Sequence, residues 1–112
     1  ELRGKLIHLR SGYLATGGNT RKIRELITLS LTAFISLFSA LLYLKNIEIP
    51  HAKREVITTA GQAFGIDAPL FLKCEEIRRK TDRLSSTEVQ AVFQAYMKEV
   101  DRLCDQIDRM EV

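Results

Sequence analysis

From Leu26 to Leu44 the chain reads LITLSLTAFISLFSALLYL, nineteen residues without a charged side chain. As a helix this run is about 28 Å long, close to the ~30 Å hydrocarbon core of a bilayer. The chain must therefore either cross a membrane here or fold the rest of itself around this helix. Basic residues flank the run on both sides, as they do at two headgroup layers. Against a span, Thr28, Thr32, Ser36, Ser39 and Tyr43 recur at steps of four, four, three and four, giving the helix a distinct small-polar face. Such a face suits close approach by a neighbouring helix, each hydroxyl bonding a carbonyl one turn back. The other helical segments each carry one apolar side that needs covering, and a uniquely apolar helix among amphipathic ones covers it. The run reads as the spine of a soluble, cytoplasmic bundle with no membrane partner.

The patterns around the run agree. Leu2, Leu6, Leu9 and Tyr13 form one stripe of a first helix, Glu1 to Ala15, and Gly17-Gly18 breaks it. Asn19 or Thr20 can cap a second helix, Arg21 to Leu44, which stops before Pro50. A third helix, His51 to Phe64, ends at Gly65, a natural C-terminal cap. Asp67 and Pro69 open a fourth, with Leu70, Cys74 and Ile77 inward. Ser85 and Glu88 form a capping box for the fifth. There Val89, Phe93, Tyr96, Val100, Leu103, Ile107 and Met110 alternate steps of four and three, a heptad seam that needs a long partner. Only the second helix is long enough. The expectation is an all-α, up-and-down bundle of about five helices, with helices two and five as long antiparallel staves at its core. Helix one is a third stave, and helices three and four together make a kinked fourth.

At 112 residues, 46% apolar and 28% charged, the chain is one domain, 1–112, long enough to bury a core. The net charge of +3 is uneven, since residues 1–24 hold six basic side chains against Glu1 alone. Six spread charges read as a solvated helix face, and no nucleic-acid partner is expected. Cys74 and Cys104 stand outside any metal-binding motif and read as buried thiols. His8 and His51 have no ligands at zinc spacing. No phosphate loop, Ser-His-Asp set or paired carboxylates appear, so the fragment reads as no enzyme and as having no cofactor of its own. Glu99, Asp101 and Arg102 read as part of a polar surface on helix five.

On a helical wheel Arg3 and Arg10 lie between two apolar stripes, the one just named and a second made by Ile7 and Leu14. Guanidinium groups at that boundary are expected to be part-buried and to seek a carboxylate or phosphate. The partner is either an acid within the chain, such as Glu25 or one on helix five, or a surface beyond it. With Tyr13 beside them, Arg3 and Arg10 are the candidate substrate or interdomain contacts. RGKLIH, from Arg3 to His8, has the Arg and His of the ribonuclease motif of HEPN domains, but Gly4 follows the arginine and the motif comes first in the bundle. It reads as coincidental.

The order ELRGKLIHLRSGYL, Gly-Gly turn, apolar helix and FQAYMKEVDRLCDQID resembles the helical region that follows the catalytic domain in bacterial nucleotidyltransferase-fold proteins. It is similar in design to the helical bundle of kanamycin nucleotidyltransferase and to the HEPN-like partners of minimal nucleotidyltransferases. The resemblance implies a non-catalytic accessory domain, excised from a longer protein, that assists substrate binding or packs against a preceding nucleotidyltransferase-like domain. Nucleotide and magnesium would belong to that parent, whose Gly-Ser and Asp-x-Asp motifs are not in these 112 residues. A stand-alone helical interaction module, dimerising through the helix-five seam, is the alternative. A small protein anchored through 26–44 is the third reading.

Overall fold

The computed structural model describes residues 2–110; the side chains of residues 2, 3, 5 and 107–110 lie outside the described set. Five helices make up the described residues: α1 (Leu2–Thr16), α2 (Thr20–Leu44), α3 (Lys53–Phe64), α4 (Ala68–Arg79) and α5 (Ser86–Met110). No strand occurs among the described residues.

Local chemistry sets the helix ends. The Thr16 hydroxyl donates to the Tyr13 carbonyl at 2.6 Å and accepts from the Gly18 N–H at 3.2 Å. Gly17 and Gly18 then turn the chain with φ of 58° and 82°, a left-handed pair that side chains oppose. Asn19 caps α2 by accepting from the Lys22 N–H. The end of α2 comes earlier than Pro50 requires. Asn46 adopts φ 59° and the Ile47 N–H donates to the Leu42 carbonyl, closing the helix by its own left-handed residue. At α4, Asp67 accepts from the Leu70 N–H. At α5, Ser85 and Glu88 exchange both bonds of the capping box.

α2 touches all four other helices, and α1, α5, α4 and α3 lie around it in that order. Its Ile23, Ile27, Leu31, Phe34, Ile35, Phe38 and Leu42 are buried. Tyr96 sits at the centre, ringed edge-on by Phe34 and Phe71 at centroid distances of 5.9 and 5.6 Å. Its hydroxyl is hydrogen-bonded to Ser30 at 2.8 Å, which satisfies the one polar atom an aromatic core residue brings. The described part of the helix-five seam, Val89 to Leu103, is buried inside this bundle and is not offered to a second chain.

Two expectations about direction are corrected. Arg24 meets Asp82 near the start of α5 and Ser30 meets Tyr96 further along, so α2 and α5 run the same way. They are parallel because α4 lies against both in the opposite sense: Asp67 meets Glu99 and Phe71 meets Tyr96. Helices α3 and α4 do not continue one another as a kinked stave. Arg54 faces Glu76 at 3.9 Å, and a Cβ on Gly61 would stand 2.8 Å from that of Ala68, so the two form a hairpin. Gly65, with φ 71°, supplies the reversal.

The encirclement of α2 is incomplete. α1 and α3 do not meet among the described residues, and the side of α2 between them is open. The small-polar stripe faces that opening: Thr32, Ser36 and Tyr43 are exposed, with Thr28 and Ser39 at the edge. No helix approaches it closely, contrary to expectation. The expected back-bonding does occur, since Thr28 and Thr32 donate to the carbonyls of Arg24 and Thr28. α2 is long and apolar enough to cross a membrane, with a mean hydropathy of 2.0 over its best window, of which 33% is buried.

Candidate functional site

Three features of this surface bear on function, and each follows from how α1 lies on the bundle. α1 buries Leu6 and Leu9 beneath it. Tyr13, half-buried, stacks on Phe93 of α5 with centroids 5.0 Å apart and planes 18° from parallel. Its hydroxyl accepts from the Gln94 side-chain amide at 3.1 Å. The role the structure gives Tyr13 is to fasten α1 to α5.

The second apolar stripe of α1 faces outward. Ile7 is 63% exposed and Leu14 80%, one heptad apart. Arg10 lies between them along the helix and is itself exposed, its guanidinium 3.9 Å from the Asp101 carboxylate of α5. The part-burial expected for Arg10 is therefore corrected, because the stripe that was to cover it faces solvent. Its partner is an acid on helix five. The side chain of Arg3 lies outside the described residues. The structure brings Arg10 and Tyr13 together on the α5 side of α1, above the exposed strip.

Between α1 and α2 runs an open groove of about 560 Å³, lined by Leu9, Gly12, Leu26, Leu29 and Ala33, with His8 at its rim. Its walls are apolar, and Ser30 at its floor already bonds Tyr96. His8 and Ser11, three residues apart on α1, also line it. Among the described residues no group of three His, Cys, Asp or Glu could hold a metal ion. The groove can receive apolar side chains.

The charged groups that sequence reasoning placed on the surface are partly structural. Glu99 is buried, not surface-exposed. It accepts from Arg102 through both carboxylate oxygens, at 2.8 and 2.6 Å, and from the Asp67 backbone N–H at 2.8 Å. Arg102 also donates to the Gly65 carbonyl at 2.9 Å, so the pair clamps the α3–α4 turn onto α5. Burial pushes the Glu99 carboxyl up, but the Arg102 and Asp67 hydrogen bonds outweigh it and hold it below the usual carboxylate range. Glu75, buried in α4, is held by a two-pronged Arg78 at 2.6 and 2.8 Å. Asp82 is nearly covered and accepts from Arg24 at 2.9 Å; that bond holds its carboxyl down. The missed signal was an Arg three residues after each buried Glu, which places both on one helix face. Cys74 and Cys104 are buried as expected, and burial pushes the Cys74 thiol up to about 12.

No family model matches the chain, and neither a curated protein nor a solved structure shows significant similarity to it.

Proposed function

We propose that this chain is a non-catalytic helical accessory domain that works by docking, with the outer face of α1 packed against a nucleotidyltransferase-like catalytic domain. The observation that carries this reading is the uncovered strip Ile7–Arg10–Leu14. α1 is apolar on two faces, and the bundle covers only one of them. A single exposed leucine is ordinary, but two large apolar groups about 10 Å apart along one helix, with a guanidinium between them, make an anchor for a partner. Among the described residues Arg10 is held by an exposed, long ion pair, so it is available to a carboxylate or phosphate across such an interface.

The identity of the partner rests on the resemblance in helix order to the region behind nucleotidyltransferase catalytic domains. On this reading nucleotide and magnesium are bound by the partner, and α1 assists by fixing the partner's orientation or by reaching substrate phosphates from the far side of the cleft. Reading the coding sequence upstream of Glu1 tests the assignment. A Gly-Ser pair followed by Asp-x-Asp on a strand supports it. A parent without those motifs removes the nucleotidyltransferase and leaves only the docking face.

A further inference from the structure

The fold joins two basic runs that stand apart in the sequence. Arg24, near the start of α2, donates to the Asp82 carboxylate at 2.9 Å and to the Leu84 carbonyl at 3.1 Å. These bonds lay the link between α4 and α5 against the first turns of α2. Arg21, three residues before Arg24, shares that side of its helix. On α4, Glu76 faces Arg54 at the start of α3, so Arg79, three residues on, stands on the same side one turn further along. One corner of the bundle thus collects Arg21, Arg24, Arg54, Arg78, Arg79, Lys80 and Arg83. Four carboxylates lie among them, each already paired: Glu25 with Arg21, Asp82 with Arg24, Glu76 with Arg54 and Glu75 with Arg78. At the margins Glu88 and Glu55 are matched in number by Lys73 and Lys53. Seven cations against four carboxylates leave three, Arg79, Lys80 and Arg83, all exposed and without an ion pair among the described residues. That excess equals the net charge of +3 of the whole chain. Neither basic run alone departs from a solvated helix face; together they form a patch.

We infer that this corner binds the phosphate backbone of a nucleic-acid double helix. Guanidinium groups take phosphate through paired N–H donors, and Arg79 and Arg83 are uncommitted. Arg21 and Arg54 can join them, because their own pairs are exposed and long, at 3.6 and 3.9 Å. Arg24 and Arg78 are held by covered carboxylates and instead fix the frame from which the others project. The corner is polar throughout. From Arg78 to Glu88 no large apolar side chain is exposed, whereas Ser86 and Thr87 are, and hydroxyl groups are further donors to phosphate. A protein partner would be met by an apolar centre and a bilayer by an apolar wedge, and this surface offers neither. No aromatic side chain stands in that segment to stack on unpaired bases, which favours a double helix over a single strand. Backbone contacts alone make the binding independent of base sequence. The corner uses none of the Ile7–Arg10–Leu14 strip, so the inference stands whether or not α1 docks on a catalytic domain.

Fluorescence anisotropy of the purified chain with a labelled RNA duplex and a DNA duplex of equal length, over a series of salt concentrations, tests it. Wild type should bind at least one duplex in low salt and lose affinity steeply as salt rises. The slope of log affinity against log salt should be about −3 to −4.5, for three to five phosphates. Arg79→Gln/Arg83→Gln should bind about tenfold more weakly, with a slope shallower by about two, at an unchanged melting temperature. Arg83→Gln alone should make the slope shallower by about one. Lys45→Gln/Lys98→Gln, which removes the same charge from exposed sites elsewhere, should bind like wild type. No binding of either duplex in low salt overturns the inference, as does an equal loss in the two double variants. Polyglutamate or phosphatidylserine vesicles bound as tightly as the duplexes would also overturn it, by showing that an acidic protein or a lipid surface covers the corner.

Discussion

Glu99 accepts a hydrogen bond from the Asp67 backbone N–H at 2.8 Å, across thirty-two residues of chain, and this bond joins the first residue of the α4 cap to the middle of α5. Arg102 completes the clamp by holding both oxygens of the same carboxylate. Replacing Glu99 with Ala leaves the part-buried Asp67 N–H without its acceptor and leaves the Arg102 guanidinium its bonds to Gly65 and Gln106. The expected cost is about 1–3 kcal/mol, read from chemical denaturation. Arg102→Ala should cost at least as much, since it leaves the buried Glu99 carboxylate without its counter-charge and removes the bond to the Gly65 carbonyl.

Acid should unfold the bundle in a way that depends on Asp82. Its carboxyl is held below the usual range by Arg24, so the stability it contributes is fully present above about pH 4, the unfolded value, and is lost as pH falls through its lower folded pKa. In Asp82→Asn that loss is built in at neutral pH. The variant should therefore be less stable than wild type at pH 7, and the gap should narrow as pH is lowered below 4. A gap that stays constant with pH would assign the effect to packing. Melting temperatures across that range decide it.

Phe38 and Leu41 separate the inner and outer sides of α2. Phe38 is fully buried between Phe34 and Phe71, whereas Leu41 is only half-buried. Phe38→Ala should cost about 3–5 kcal/mol, and Leu41→Ala clearly less, by urea titration. Similar small losses at both would place this helix outside a packed core.

The thiol of Cys74 should stay silent. With its pKa raised by burial to about 12, it carries almost no thiolate at neutral pH, and its reaction with an aromatic disulfide reagent should wait for unfolding. Prompt labelling of the folded chain at Cys74 would contradict the packing around it.

Much of this was legible in the sequence. Gly17-Gly18, Asn19, Gly65, Asp67 and the Ser85–Glu88 box mark where helices stop and start, and each acts locally, the glycines through their backbone and the others through side-chain oxygens that accept nearby N–H groups. The seam of α5 and the spine of α2 were legible for the same reason, that helical period sorts residues by face. The relation between helices was not. Gly65 permits a kink or a complete reversal, and only the fit of Gly61 against Ala68 makes it a reversal. The shared direction of α2 and α5 depends on where α4 packs, which no local pattern states. Arg10 was misplaced because an apolar stripe was assumed to face inward, while Ile7 and Leu14 face out. The buried carboxylates were hidden because burial of a charge follows from its partner, and Glu99 and Arg102 read as surface charges.

Arg10 bears on docking more than on folding. Its pair with Asp101 is long and exposed, and such pairs are worth about 0–1 kcal/mol. Arg10→Ala should leave the melting temperature of the isolated chain nearly unchanged. A loss well beyond that range would make Arg10 an internal strut and remove it from the docking face.

The docking claim itself is tested most directly by isothermal titration of this chain against a separately produced nucleotidyltransferase-like domain, the partner the docking proposal requires, with wild type compared to Leu14→Asp. Leu14 is the most exposed large apolar residue of the bundle among those described, so the change leaves the fold intact. Binding by wild type that weakens tenfold or more in Leu14→Asp, at equal melting temperatures, is the predicted result. Equal affinities for the two, or no binding by wild type, would contradict the account.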